Sequence, residues 1–231
     1  MMLYMEIATR RLVLRPWKHD DPNEARSLYR FASDPQIGPR CGWMPHTSEA
    51  DSLDLLNHVL TGPENYAITL RNGQDGGSPA TRIAAGDPIG SIELKETGPN
   101  DHATSYVREM LDAHELKKNV NEDDVRRLLD HSEHDLVLGY WIGRPFWGQG
   151  LMTEALEAML QRAFGENGLG ANAVWGGHYV ENIGSGKVME HCGLWPVGRK
   201  KDDYFRQIDE HHDCVLRVIT RKEWEQRVQA Q

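Results

Sequence analysis

Gly148, Gln149 and Gly150 are the residues of this 231-residue chain whose types and spacing first suggest chemistry. Ahead of them, Leu136–Ile142 is a nearly unbroken apolar run of strand length. Behind them, Leu151–Phe164 carries helical spacing through Met152, Leu156, Met159, Leu160 and Ala163. The pattern predicts a buried strand, a loop and a helix. Such a loop delivers backbone N–H groups to a helix start, where unpaired donors and the helix dipole both favour an anion. Neither glycine has a Cβ, so a phosphate can approach the chain closely around Gln149. A Walker A loop needs Gly-Lys-Ser/Thr after its spacer, and this loop has no Lys. A dinucleotide fingerprint needs a third glycine, where Thr153 stands. Both fit poorly, and an ordinary strand-to-helix turn is the plain alternative.

A second informative block covers residues 181–194. Asn182 can cap a helix whose apolar side holds Val188, Met189 and Cys192, and Gly193 is a good terminator. Gly184 and Gly186 each cost such a helix roughly 1 kcal/mol, which predicts a loose first turn.

The first loop resembles the acyl-coenzyme A pyrophosphate loop of the GCN5-related N-acetyltransferase superfamily, written Gln/Arg-x-x-Gly-x-Gly/Ala. Pro145 stands where the superfamily has Gln or Arg. Trp147 to Gly150 followed by Thr153, Glu154 and Ala155 looks like the ribosomal-protein alanine/serine N-acetyltransferase branch. The Arg-Leu-x-Leu-Arg opening at residues 11–15 looks like that branch too. The second block is similar to the branch's Glu-Asn-x-x-Ser-x-x-Val-x-Glu-x-x-Gly-Phe signature, with Leu194 for Phe. The two signatures at the expected distance are more specific than either alone, and the resemblance covers nearly all of the chain outside one insertion.

The resemblance implies an α/β (mixed α+β) fold, a twisted mixed central sheet of about six to seven strands with helices on both faces. It implies one acetyltransferase domain over residues 1–231, with acetyl-CoA as donor and no metal. Backbone groups at Trp141 and Ile142 would face the pantetheine arm. The N–H groups of Trp147, Gly148, Gln149, Gly150, Leu151, Met152 and Thr153 would receive the pyrophosphate. Asn182 would contact the arm by its side chain, with a pure helix cap as the alternative.

The implied reaction is direct transfer of acetyl from a thioester to an amine. The amine must lose a proton, the thioester oxygen must be polarised and a thiolate must leave. An α-amine ordinarily titrates at about 7.7–8.0 and a lysine at about 10.4, so an N-terminal acceptor asks less of a base. No unmistakable base stands in the sequence. Ser185 occupies the position, beside the departing sulfur, from which some relatives protonate it; its alternative is a first-turn serine bonding its own backbone. Glu181 is a candidate base or orienting carboxylate, or else a solvated side chain, and Tyr179 and His178 are weaker reserves. The acceptor is a protein N-terminal amine or a small amine such as a polyamine or aminoglycoside. From another class, the domain would bind acyl-CoA without turnover.

Several elements must position these residues. Residues 9–16 read as a first strand with Leu12 and Leu14 on one face, ended by Pro16. A helix follows from Asp21-Pro22 through Ala25, Leu28, Tyr29 and Ala32. A capping box at Ser48 and Asp51 precedes Leu53, Leu56 and Leu60. These two helices and the aromatic-rich loop between them are where the family recognises its acceptor; Trp43 either shapes that pocket or packs in the helix seam. Residues 65–70 and 88–94 read as hairpin strands joined by a flexible polar connection at 72–79. Residues 96–134 read as an insertion, helically patterned at 107–112 and 125–130: a lid, a subunit contact of a homodimer, a partly disordered stretch or a solvated decoration. Residues 172–178, 194–198 and 212–219 read as strands, and 201–210 as a polar loop beside the acceptor. The tail, 221–229, reads as a surface helix.

A formal net charge of −9 disfavours nucleic-acid backbones and favours cationic partners such as amines. No run approaches a membrane span and the first residues lack a signal-peptide pattern, so neither a membrane partner nor export is expected and the location expected is cytoplasmic. Cys41, Cys192 and Cys214, without a CxxC pair, read as reduced thiols in the core. Adjacent His211 and His212 would point to opposite faces of a strand, which argues against a metal site.

Overall fold

The computed structural model describes residues 6–73, 83–96, 121–123, 125–126 and 134–230. Its strands are β1 (Ile7–Ala8), β2 (Leu12–Pro16), β3 (Asn65–Leu70), β4 (Pro88–Glu96), β5 (Leu136–Ile142), β6 (Ala173–Tyr179), β7 (Trp195–Phe205) and β8 (Glu210–Thr220). Hydrogen bonding joins these eight in one mixed sheet ordered β1-β2-β3-β4-β5-β6-β8-β7. The expected strands are all present; the additional one is β1, a two-residue edge that pairs with β2. Among the described residues the longer helices beside the sheet are α1 (Pro22–Ala32), α2 (Glu49–His58), α3 (Leu151–Phe164), α4 (Ile183–His191) and α5 (Arg221–Gln229). The chain forms two compact units, one of residues 1–93 and 139–158, the other of 94–138 and 159–231. Among the described residues no helix is long and apolar enough to cross a membrane.

In the first unit, β2, β3 and β4 run antiparallel, with Leu14 opposite Ile68 and Ala67 opposite Ser91. Alternation puts Leu12 and Leu14 in the core, both fully buried. Asp21 caps α1 by accepting from the Asn23 N–H at 2.9 Å, and Pro22 sits where its missing donor costs nothing. Ser48 caps α2 through the Asp51 N–H at 3.1 Å, but the box is only half formed. The Asp51 carboxylate turns instead to the Thr47 N–H at 2.9 Å. Trp17, Ala25, Leu28, Ala32, Leu56 and Ala67 form the core between these elements, and Trp43 packs against it. Trp43 thus takes the helix-seam place, edge-on to Trp141 at 6.0 Å. Cys41, expected in the core, is exposed at the end of the short 3-10 turn Gly38–Cys41, of which only Gly38 is buried.

In the second unit, β5 and β6 pair in parallel over Leu136–Leu138 and Val174–Gly176, a geometry that needs a crossover connection. β6 and β7 both pair antiparallel with β8. Val125 is fully buried in a cluster with Ala173, Trp175, Val197, Leu216 and Val218. The insertion is therefore not only a solvated decoration: one apolar side chain at its described turn enters the core. The helical patterns at 107–112 and 127–130 lie outside the described residues, as does 74–79 of the hairpin connection.

The expected loop at 201–210 is corrected. β7 continues to Phe205, with Asp203 opposite His212 and Phe205 opposite Glu210, and only a short turn remains. A register shift between Lys200 and Asp203, with Asp202 at φ 55°, carries the strand through polar residues. As an edge strand it has little apolar alternation to betray it. The helix α5, by contrast, lies on the surface as read, with no buried residue, and Thr220 and Glu223 close a full capping box.

Candidate functional site

The glycine loop belongs to the first unit. Gly143, after β5, can hold no side chain because a Cβ would lie 2.7 Å from the Phe31 ring. That contact, with buried Phe146 edge-on to Phe31 at 5.6 Å, fixes where the loop leaves the strand. A 3-10 turn, Arg144–Phe146, follows, and the Gln149 side-chain Nε2–H donates back to the Pro145 carbonyl at 2.8 Å. Gly148 and Gly150 both have φ of +71°, a left-handed conformation that disfavours any side chain. A Cβ at Gly148 would meet nothing within 4 Å, and one at Gly150 only the Arg11 guanidinium at 3.6 Å. Both glycines, and Gln149 between them, are exposed.

The internal ladder of α3 begins with Glu154 N–H donating to Gly150 C=O at 3.1 Å. The N–H groups of Gly150, Leu151 and Met152 precede it, as helix geometry requires. The Leu151 and Met152 side chains are buried, so what they offer the loop is backbone. The arrangement has what an anion needs: open space over two glycines and a helix start with its donors ahead of the ladder.

The first-turn carboxylate of α3 is engaged below the loop. Glu154 Oε1 accepts from Thr9 Oγ1 at 2.6 Å and from the Arg11 N–H at 2.7 Å; Oε2 takes the Arg11 Nε–H at 2.7 Å. Burial by itself would raise this carboxyl, but the bonds from Thr9 and Arg11 outweigh it and hold it below its usual value.

Trp141 and Ile142 are placed by the same unit. A Cβ on Gly90 of β4 would overlap the Trp141 carbonyl, and the Ile142 carbonyl accepts from Trp147 Nε1 at 2.8 Å. Trp147 is exposed at 41%, with the Arg40 guanidinium 5.7 Å from its ring centroid. The backbone of Trp141 and Ile142, expected toward the pantetheine arm, is thus placed by Gly90 and Trp147.

Asn182, Ser185 and Glu181 lie in the second unit. Asn182 caps α4, its Oδ1 accepting from the Ser185 N–H at 3.3 Å. Ser185 sits half-buried in the first turn. The glycines of that turn differ in meaning: Gly186 is required, because a Cβ there would lie 2.9 Å from the His178 ring, whereas Gly184 has room. The related Gly176 in β6 leaves space for Met189, whose methyl would lie 3.1 Å from an added Cβ.

His178, a reserve base by sequence, is occupied. Its Nδ1 lies 2.8 Å from the Tyr179 carbonyl and its Nε2 3.2 Å from Arg217 Nε. A carbonyl on one side and a guanidinium donor on the other select the neutral Nδ1–H tautomer, whose lone pair is already used. Burial lowers its pKa, and the Arg217 charge lowers it further.

The histidine that sequence reasoning passed over is His212. Its Nδ1 lies 2.6 Å from Glu181 Oε1 and its Nε2 2.9 Å from Glu210 Oε2. The ring stacks on Tyr179 at 4.1 Å and 10°, with Phe205 edge-on at 6.0 Å. Its neighbour His211 points the other way, to Asp202 and Tyr204. The strand alternation that argued against a metal was the available signal that one of the pair faces Glu181. Among the described residues no group of His, Cys, Asp and Glu suits a metal ion.

Comparison with known proteins agrees with this geometry. Residues 11–194 match the family model described as an acetyltransferase (GNAT) domain. Over 97 residues the chain is 32% identical to a Bacillus subtilis (strain 168) protein named "Putative ribosomal N-acetyltransferase YdaF". That stretch is 42% of this chain and 51% of the relative, so the chain spans about half of the relative's length. A GNAT-family acetyltransferase from Bacillus anthracis has a similar fold, with TM-score 0.64 and 18% identity over 95% of this chain and all (100%) of that one. So does a spermidine N-acetyltransferase from Vibrio cholerae solved with CoA and spermine, with TM-score 0.60 and 14% identity over 94% of this chain and 99% of that one. At these identities the two structures show the fold alone.

Proposed function

The chain belongs to the GNAT acetyltransferase family, and from that premise we propose that it transfers acetyl from acetyl-CoA to a primary amine, a protein N-terminal α-amine above all. The observation that carries the donor side is the open cradle of Gly148 and Gly150 at the start of α3. A diphosphate fits it, since backbone approach is unobstructed and the helix start favours negative charge. The N–H groups from Trp147 to Thr153 are proposed to hold the diphosphate, and Trp141, Ile142 and Asn182 the pantetheine arm. The family match runs through both compact units, which supports one acetyltransferase domain with an insertion near 96–134.

Acetyl-CoA supplies an activated acyl group on a thioester. Ser185 donates a hydrogen bond to the sulfur as negative charge develops there, which needs proximity rather than acidity. Glu181 accepts the proton shed by the amine and passes it to solvent, with His212 fixing its carboxylate. Exposed Glu181 and Glu210 and the net charge of −9 suit a cationic acceptor of either kind. The α-amine is preferred because the matched Bacillus subtilis relative carries a ribosomal N-acetyltransferase name and because its lower pKa asks less of a carboxylate. We place the protein in the cytoplasm, on its three free thiols and the absence of a membrane-crossing helix among the described residues.

A thiol-release assay with acetyl-CoA against peptides beginning Ala or Ser, polyamines and aminoglycosides tests this. Turnover with the peptides alone is the expected result. Turnover confined to polyamines or antibiotics moves the acceptor to small amines, and CoA binding with no turnover leaves a binding module.

A further inference from the structure

A diphosphate needs compensation beyond amide dipoles, and this chain lacks a polar residue at the loop position where its family has Gln or Arg: Pro145 stands there. Arginine reaches the loop by three other routes. Arg144 is bound to Asp34 at 2.9 Å, and Arg40 lies over the Trp147 ring. Arg11, just ahead of β2, reaches the backbone of the glycine turn itself. Its NH1 donates to the Gln149 carbonyl at 2.9 Å, while its Nε is held by Glu154 at 2.7 Å.

That bond has a directional consequence. In a trans peptide the C=O and the following N–H point in opposite directions. With the Gln149 carbonyl drawn down to Arg11, the Gly150 N–H faces away from the guanidinium. Glycine tolerates both signs of φ, so the Gln149–Gly150 peptide is a place where a flip would meet little steric resistance. A flipped peptide would present a carbonyl, and its partial negative charge, where a donor is needed. Thr9 and the Arg11 backbone also bind Glu154, which ties the clamp to the first turn of α3.

We propose that Arg11 is a positioning residue for the diphosphate of acetyl-CoA, locking the Gln149–Gly150 peptide with its N–H toward the phosphate in a loop that has Pro145 where its family has Gln or Arg. The inference rests on the acetyl-CoA reading above and names the residue that makes the loop competent. Its partner in that role is Glu154, which orients the guanidinium without touching the donor.

The test is calorimetric titration of wild type, Arg11→Gln and Arg11→Lys with CoA and with dephospho-CoA, which keeps the diphosphate but lacks the 3′-phosphate. Melting temperatures without ligand are recorded for each protein. Arg11→Gln should bind both ligands about tenfold or more weakly, because a peptide no longer held by a charge-assisted bond presents its N–H to the phosphate only part of the time. Arg11→Lys should recover part of that affinity while melting no higher than Arg11→Gln, since an ammonium can still donate to the Gln149 carbonyl but cannot hold Gln149 and Glu154 together. Unchanged binding by Arg11→Gln overturns the proposal. So does a loss confined to CoA, which would make Arg11 a reader of the 3′-phosphate, or a lysine variant as weak as the glutamine one, which would make its role structural. A wild type that binds neither ligand overturns the acetyl-CoA reading and the clamp together, whereas binding by wild type that Arg11→Gln leaves intact removes the clamp alone.

Discussion

Replacing Gly150 by alanine separates backbone strain from ligand binding. At φ +71° an L-residue sits in the left-handed region, which costs roughly 1–2 kcal/mol. Sterics add little, because the added Cβ would meet only a guanidinium end at 3.6 Å. The stability loss should therefore stay near about 1–2 kcal/mol, a shift of roughly 2–8 °C in Tm for a domain in this size range. Affinity for acetyl-CoA should suffer separately, since backbone relaxation that relieves the strain turns the Gly150 N–H away from a phosphate. A bond to a charged group is worth about 1.5–3 kcal/mol, so Kd should rise about tenfold to a hundredfold. Thermal melting without ligand gives the first quantity and calorimetry with acetyl-CoA the second. Gly148→Ala, strained by the same φ and open on the same side, is the companion. An alanine at 150 that melts like wild type would refute the strain argument. One that melts lower yet binds acetyl-CoA normally would show that no phosphate comes near this peptide.

Ser185→Ala should lower kcat about tenfold or more while leaving the Kd for acetyl-CoA within about twofold, since a donor to the leaving sulfur acts mainly in the transition state; equal losses in both would dismiss it. His212→Gln should lower kcat and alter the pH–rate profile by loosening Glu181, and steady-state rates across neutral to mildly alkaline pH that superimpose on wild type would show that Glu181 needs no such support. Asp135, bonded to Trp175 Nε1 at 2.8 Å, is pushed up to about 6, first by burial. A raised carboxyl binds its proton more tightly folded than unfolded, so its effect favours the fold below about pH 4 and is lost as pH climbs through about 6. The full change would carry about 3 kcal/mol, and screening by solvent leaves less than that. Asp135→Asn keeps an acceptor for Trp175 and should flatten that part of the stability curve; chemical denaturation at intervals from about pH 4 to about pH 7 with parallel profiles for the two proteins would remove Asp135 as its source.

Much of the local structure was legible from neighbouring residues because its causes are local. β3 and β5 and the helices α1, α3 and α4 follow from apolar period, a capping Asp21, a Pro at a helix start and a Gly193 that takes φ +90° at a helix end. The glycine turn was legible for the same reason: only residues without a Cβ hold φ +71° cheaply at positions 148 and 150. Side-chain partnerships across long sequence separations were not. Nothing near Arg11 announces Gln149 and Glu154 as its acceptors, and nothing near Gly186 announces the His178 ring it makes room for. His212 looked like half of a dismissed metal pair until β8 and the turn before α4 brought it against Glu181. The polar end of the edge strand β7, beyond Gly198, was hidden because a strand with little to bury shows little alternation, so its pairing with β8 there was decided by backbone hydrogen bonds that the residue pattern does not encode. Neighbouring residue types determined which backbone shape each segment prefers. Which charges and rings meet depended on pairing the strands and packing helices on them, a long-range condition that no window of neighbours contains.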